Sequence, residues 1–335
     1  MPVHVDTLDD VASILERLCK SRAGAGPGAA VAATMNFVVF IDDDAHRRWV
    51  LERAERIAEK HPSRMIVLDS THAIKGVDVS CGSSEGTGAT IRNERLDLGI
   101  AALDHESIVA TAHQLTIREI PTVLWWSGAR LLESRTFLGL AENADVVVID
   151  SSGKAHDEET LAELCTFAER HPHVALHDLA FLRLAPWQEM IAQFFDDPAL
   201  RADLFALSAV EIESGSAAEA LYLGAWIGSR IAWEALDSHT FRTRDGRSLS
   251  FERIKNGEQR RILRVTLRSD HSTYAATLCG ERVVRLSVEG ANARPPWLVS
   301  LHAVSSTSLI ERAILAPGAD KMFEATLATL RGLMR

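Results

Sequence analysis

Five consecutive apolar residues, Phe37-Val38-Val39-Phe40-Ile41, run straight into Asp42-Asp43-Asp44. A strand that is apolar on both sides must be covered on both sides, as in a parallel sheet held between helices. The aspartates favour a helix start, because carboxylates there meet free N–H groups and the positive end of the helix dipole. Val50, Ala54, Ile57 and Ala58 then recur at helical spacing, Pro62 closes the unit, and Met65 to Leu68 reads as a second strand.

The alternation continues. Helices are expected near 105–115, 130–143 and 157–170, with strands at 121–126, 145–150 and 174–176. Short β-type segments lie at 77–81 and 88–92, among Gly82, Gly86 and Gly88. This order predicts an α/β domain over 34–180, a mostly parallel Rossmann-like sheet with helices on both faces. Residues 1–33 precede it as a helix over 6–20 (Val11, Ile14, Leu15 and Leu18 on one face) and a Gly/Ala-rich linker from Ser21 to Ala33. Past residue 180 the pattern changes. An amphipathic helix over 186–195 carries Trp187, Met190, Ile191, Phe194 and Phe195 on its apolar face. A helix near 216–236 is apolar nearly all round, and Gly224, Gly228 and Ala232 recur every four residues, allowing a neighbour to come close. Alternating segments at 251–255, 260–269, 274–278 and 282–289 follow, with Asp245-Gly246 and Asn256-Gly257 as expected hairpin turns. Residues 181–335 therefore read as a smaller α+β domain with an antiparallel sheet. A length of 335 residues suits two domains.

Charge and motif narrow the function. Thirty-six basic against 46 acidic residues give a net charge of −10, the wrong sign for a duplex-binding surface, despite local basic spots at Arg260-Arg261 and Arg264. The longest apolar stretch, Ala220 to Gly228, is too short to span a bilayer, and the start shows no signal-peptide pattern, so a cytoplasmic protein is expected. Cys19, Cys81, Cys165 and Cys279 form no CxxC pair and read as isolated, reduced thiols. The turn after the first strand has aspartates where a dinucleotide fingerprint needs glycines, and Glu85-Gly86-Thr87-Gly88 lacks the P-loop Lys-Ser/Thr. Neither HExxH nor GxSxG is present. No cofactor, metal or catalytic residue is assigned.

Three features are candidates for binding a ligand or partner. Ser63-Arg64 opens the second strand, where the guanidinium would take a phosphate or a partner carboxylate bidentately, or else form an ion pair within the chain. Trp125-Trp126 ends a strand at the edge where such sheets bind ligands; the competing role is core packing. Asp150-Ser151-Ser152 follows another strand and resembles Asp69-Ser70-Thr71, as a polar rim or as turn and cap residues.

Taken together, several segments resemble the glucose-6-phosphate dehydrogenase assembly protein family, OpcA. They are Ala33-Thr-Met-Asn-Phe-Val-Val, Lys60-His-Pro-Ser-Arg-Met-Ile-Val, Glu119-Ile-Pro-Thr-Val-Leu-Trp-Trp and Asn143-Ala-Asp-Val-Val-Val-Ile-Asp-Ser-Ser. Asp178-Leu-Ala, Leu184-Ala-Pro-Trp and Leu223-Gly-Ala-Trp-Ile-Gly-Ser-Arg extend the likeness, which is close over residues 30–235 and loose beyond. The resemblance implies a non-catalytic cytoplasmic protein that binds glucose-6-phosphate dehydrogenase and assists its assembly, or activates it allosterically, in the oxidative pentose phosphate pathway. No cysteine pair sits close in sequence, so no thiol switch is assigned. Trp187, Phe194 and Phe195, or Trp226 and Trp233, would anchor an interface if their faces are exposed. The competing reading is a sugar-phosphate-binding enzyme or sensor, glycosyltransferase-like in its two halves, that uses Arg64, Trp125 and Ser151 at the strand ends.

Overall fold

The computed structural model describes residues 2–22, 33–73, 76–85, 90–128, 131, 134–152, 156–257, 261–302, 304–316 and 318–335. Most of the expected linker, Gly86 to Gly88, Gly153 and Arg260 lie outside the described residues. Two units share the chain. The first comprises Met1–Ile149, Arg170–Leu176 and Ser306–Gly318; the second comprises Asp150–Glu169, His177–Ser305 and Ala319–Arg335.

In chain order the elements begin β1 (Val3–Val5), α1 (Val11–Arg22), β2 (Met35–Ile41), α2 (Asp44–Ala58), β3 (Ser63–Asp69), β4 (Val77–Glu85), β5 (Thr90–Gly99), α3 (His105–Leu115), β6 (Thr122–Trp126), α4 (Arg135–Ala141) and β7 (Val146–Ile149). Next come α5 (Asp157–Arg170), β8 (Ala175–Asp178), α6 (Leu179–Leu182), α7 (Ala185–Gln193), α8 (Arg201–Phe205), β9 (Leu207–Ser214) and α9 (Ala217–Arg230). The chain finishes with β10 (Glu234–Asp237), β11 (Thr240–Arg242), β12 (Ser248–Lys255), β13 (Ile262–Ser269), β14 (Ser272–Leu278), β15 (Val283–Gly290), β16 (Arg294–Ser300), α10 (Ser306–Leu315) and α11 (Lys321–Leu333).

The first sheet has the order β1-β4-β5-β3-β2-β6-β7-β8. Its inner pairs, β5–β3, β3–β2, β2–β6 and β6–β7, are parallel, and the β4–β5 and β1–β4 pairs are antiparallel. The mostly parallel sheet is as expected, and β2, its apolar strand, sits at the centre with every residue buried. Asn36 is the one polar residue of β2, and its amide is fully used: Oδ1 accepts from Ile117 N at 2.8 Å, and Nδ2 donates to Ile117 O at 2.9 Å and Thr122 Oγ1 at 3.1 Å. A buried amide satisfied in this way fixes the approach into β6. Asp43 caps α2 through Ala45 N, as the aspartate run predicts. The expected helix over 130–143 is shorter, Arg135–Ala141, because Ser134 caps it by accepting from Phe137 N.

One expectation about the cysteines is overturned. Cys19 and Cys81 form a disulfide with a Cα–Cα distance of 5.6 Å, while Cys165 is free and buried and Cys279 free and exposed. The cause is tertiary: Val11, Leu15 and Cys19 fall on one helical face of α1 and are 3%, 2% and 4% exposed. That face packs against β4, carrying a thiol to a partner 62 residues away in sequence.

The second unit holds a sheet of order β10-β11-β12-β9-β13-β14-β15-β16. It is antiparallel except for β12 against β9, which are parallel, so the sheet is mixed. Asp245-Gly246 does make a hairpin, with Gly246 at φ +85 between paired β11 and β12. Asn256-Gly257 does not: Gly257 has φ +78, but β12 and β13 both flank β9 instead of each other. Helix α9 runs over this sheet. A Cβ at Gly224 would lie 2.4 Å from the Phe251 ring, and one at Gly228 2.9 Å from Phe241, so the glycines let sheet side chains touch the helix backbone. Trp187, Phe194, Phe195, Trp226 and Trp233 are all buried, on the helix-covered side of the core. Phe194 and Phe195 pack on Tyr274, and Phe194 also on Trp297. No helix among the described residues is long and apolar enough to cross a membrane.

Candidate functional site

The polar residues that follow β7 enter a charged network in the second unit. Asp150 accepts from Arg183 Nη2 at 2.7 Å, and Arg183 Nη1 donates to Glu219 Oε1 at 2.9 Å. Each member has a local cause. Arg183 follows α6, whose first turn is capped by Asp178 Oδ1 accepting from Ala180 N at 2.9 Å. Glu219 stands in the first turn of α9, capped by Ser216. Asp178 also accepts from Ser151 N at 3.1 Å and from the Tyr222 hydroxyl at 2.8 Å. Ser216 Oγ donates to Asp157 Oδ2 at 3.1 Å, and Ser152 Oγ lies 3.3 Å from it. Asp150 and Glu219, distant in sequence, are thereby tied to one guanidinium.

Two carboxylates, Asp150 and Glu219, hold the one arginine, and Asp178 and Glu219 are almost wholly buried. Burial pushes the Glu219 carboxyl up to about 7, although Arg183 pulls the other way. Burial, reinforced by the charge of Asp150, pushes Asp178 up to about 6. Burial opposes the charge on Arg183, but Asp150 and Glu219 outweigh it and raise its pKa. His177 Nε2 is buried without a hydrogen-bond partner, and burial lowers the His177 pKa. Such a group can share protons near neutrality, and its arginine is already engaged by two carboxylates.

A pH dependence follows. An acid whose pKa is raised on folding binds more protons folded than unfolded, so its contribution is full below the unfolded pKa and is lost as pH rises through the folded one. For Glu219 that window runs from 4.5 to about 7. At about 1.4 kcal/mol per unit the loss is on the order of 3 kcal/mol. Denaturant melts at pH 5, 6, 7 and 8 should show Glu219→Gln losing less stability with rising pH than the unaltered chain; parallel curves would remove Glu219 as the titrating group.

The remaining candidates are placed as follows. Arg64 Nε donates to Glu94 Oε2 at 2.6 Å and Nη1 to Leu115 O at 3.1 Å, an internal ion pair beside the buried Ser63. In the sheet register Arg64 stands level with Asn36 and Thr122, whereas Trp126 stands level with Phe40 and Leu68. Four residues of strand, about 13 Å, separate Arg64 from the Trp126 end. Both tryptophans are 2% exposed. Trp126 stacks on Phe40 at 3.8 Å between ring centroids, and Trp125 meets Phe37 and Trp49. A Cβ at Gly128 would lie 2.6 Å from the Trp126 indole, so that ring fills the space beyond the β6 end. Asp69 accepts from Arg47 Nε at 2.5 Å and from Thr71. Trp187 is 4% exposed. The geometry thus joins Asp150, Ser151 and Ser152 in one network and leaves Ser63 and Arg64 at the far edge from Trp126.

Two family models match the chain. Residues 54–166 match the glucose-6-phosphate dehydrogenase subunit N-terminal domain, and residues 174–327 match the C-terminal domain of the same subunit. The chain belongs to the OpcA family. Among its relatives are proteins described as putative OxPP cycle protein OpcA. That of Synechocystis is 31% identical over 189 residues, 54% of this chain and 39% of the relative. That of Synechococcus elongatus is 25% identical over 310 residues, 83% of this chain and 69% of the relative. That of Nostoc punctiforme is 32% identical over 54% of this chain and 40% of its own length. The chain therefore spans about two fifths of two of these relatives. Solved structures of similar fold include KijD10, a 3-ketoreductase from Actinomadura kijaniata, with a TM-score of 0.48, 8% identity and coverage of 89% of this chain and 95% of that one. Levoglucosan dehydrogenase gives a TM-score of 0.47 at 9% identity, covering 90% of this chain and 95% of that one.

In this OpcA-family chain, Arg183, Glu219, Asp178 and Tyr222 escaped sequence reasoning. A signal did exist for two of them. Glu219 is the only charge between Ser216 and Ser229 in an otherwise apolar helix, and a lone buried charge needs a partner. Asp178 before Leu-Ala has the form of a helix cap. Nothing local marks Arg183.

Proposed function

We propose that this chain is a non-catalytic subunit that binds glucose-6-phosphate dehydrogenase and promotes its assembly or active conformation, acting in the cytoplasm in the oxidative pentose phosphate pathway. The carrying observation is the pair of family matches, which together run over residues 54–166 and 174–327 and both describe a subunit of that enzyme. The rim network supports the reading. Its arginine is engaged by Asp150 and Glu219, so these polar residues serve the fold. Arg64, which a sugar-phosphate site would need beside Trp125, is engaged at the opposite edge.

Activation requires that the chain hold one state of the enzyme more tightly than another, since equal affinity shifts nothing. Size-exclusion chromatography of the chain mixed with its cognate dehydrogenase should give a common peak at larger size than either component. Two unshifted peaks at micromolar concentration would sink the proposal.

A further inference from the structure

One face of the second sheet is unpartnered. The aromatic contacts of Phe194 and Phe195, just past α7, and the close approach of α9 all fall on Tyr274, Trp297, Phe241 and Phe251, which share one side. The other side is carried by the alternate residues, and Arg264, Arg268, Arg285 and Glu252 there are exposed. Its charges are sorted by position. In the half made by β12 and β9 stand Glu252, Glu211 and Glu213; in the half from β13 onward stand Arg264, Arg268 and Arg285. Arg242, which pairs with Glu234, and Glu289 run against the trend, and Arg268 already pairs with Glu211 across the boundary within each copy, leaving Arg264 and Glu213 as the charges the second copy meets. The boundary between the halves lies between β9 and β13, with four strands on each side.

We infer that this face is an interface between two copies of this chain. A two-fold axis parallel to the strands and over the β9–β13 boundary lays the acidic half of each copy on the basic half of the other. Because Arg264 and Glu213 are level in the register, the axis puts Arg264 of one copy over Glu213 of the second, and the reverse. A two-fold contact of this kind has to be self-complementary, and this face is. The middle row is short and uncharged where Thr266 meets Ala275, which lets two faces approach. Ile254, 39% exposed, lies on the same face by register with Glu213, and association covers it. Eight strands at about 4.8 Å spacing and about 3.4 Å per residue present roughly 800 Å² per copy, the size of a standard stable interface. Edge-to-edge pairing is the other way sheets associate, and Pro295 and Pro296 at the start of edge strand β16 disfavour it there.

Sedimentation of the full chain at micromolar concentration should give twice the chain mass, falling toward one chain as salt rises. Arg264→Glu with Arg268→Glu makes both halves acidic, and Glu211→Arg with Glu213→Arg makes both basic. Each variant should be monomeric alone, and a one-to-one mixture should dimerise. Thermal melts establish that both variants fold. If either does not, Arg264→Gln with Arg268→Gln should weaken self-association at least 10-fold in the folded state. A monomeric unaltered chain, or reversed-charge variants that dimerise undiminished, would overturn the proposal.

Discussion

Arg183→Ala is expected to cost the second unit about 3–5 kcal/mol, the usual penalty for leaving a buried charge without its partner. Glu219 is 2% exposed and would lose the guanidinium that offsets its desolvation. The penalty has a signature that separates it from simple loss of packing. Burial already lifts the Glu219 carboxyl to about 7, and removing Arg183 lifts it further. The folded variant then relieves its strain by binding a proton, so the deficit should shrink as pH falls from 8 to 5. Adding Glu219→Leu to Arg183→Ala should recover much of the loss, since a buried pair replaced by apolar groups is often neutral. A deficit that is constant with pH and unaffected by the second substitution would mean that Arg183 acts only through its methylenes.

Reduction of Cys19–Cys81, or Cys81→Ser, is the other large effect. Cross-links act mainly by restricting the unfolded chain, and a closed loop of 62 residues corresponds to about 4 kcal/mol in the chain-entropy account. The first unit should show the loss, and amide exchange should quicken first in α1, whose hold on β4 is otherwise the small apolar face of Val11 and Leu15. Equal melting temperatures with and without reductant would contradict this. Buried Cys165, its thiol pushed up to about 12 by burial, should stay unreactive toward alkylating reagents throughout, unlike exposed Cys279.

What could be read from the chain alone divides along physical lines. Strands β2, β3 and β7 each carry an unbroken apolar run (37–41, 65–68 and 146–149), and a run of that kind has one solution in a sheet covered on both sides, so the first sheet was legible. The glycine spacing in α9 correctly announced a close neighbour, which proved to be Phe251 and Phe241. Interactions between distant residues were not legible. Cys19 and Cys81 carry no spacing signal, because a helix face and a hairpin bring them together. Asn256-Gly257 has the turn chemistry of a hairpin, yet strand order is decided by which apolar faces pair, and β9 intervenes. At the site, Asp150-Ser151-Ser152 was identifiable from its place after a strand, but Arg183, Glu219 and Tyr222 arrive from later elements.

On the proposed reading, this chain acts on a second polypeptide and catalyses nothing itself. The most direct measurement is the steady-state rate of the cognate glucose-6-phosphate dehydrogenase at sub-saturating sugar phosphate while this chain is titrated in, beside an assay of the chain alone. A rate that climbs and saturates with added chain, over no turnover by the chain itself, is the expected result. A rate indifferent to the chain, or NADPH produced by the chain without the enzyme, would contradict it.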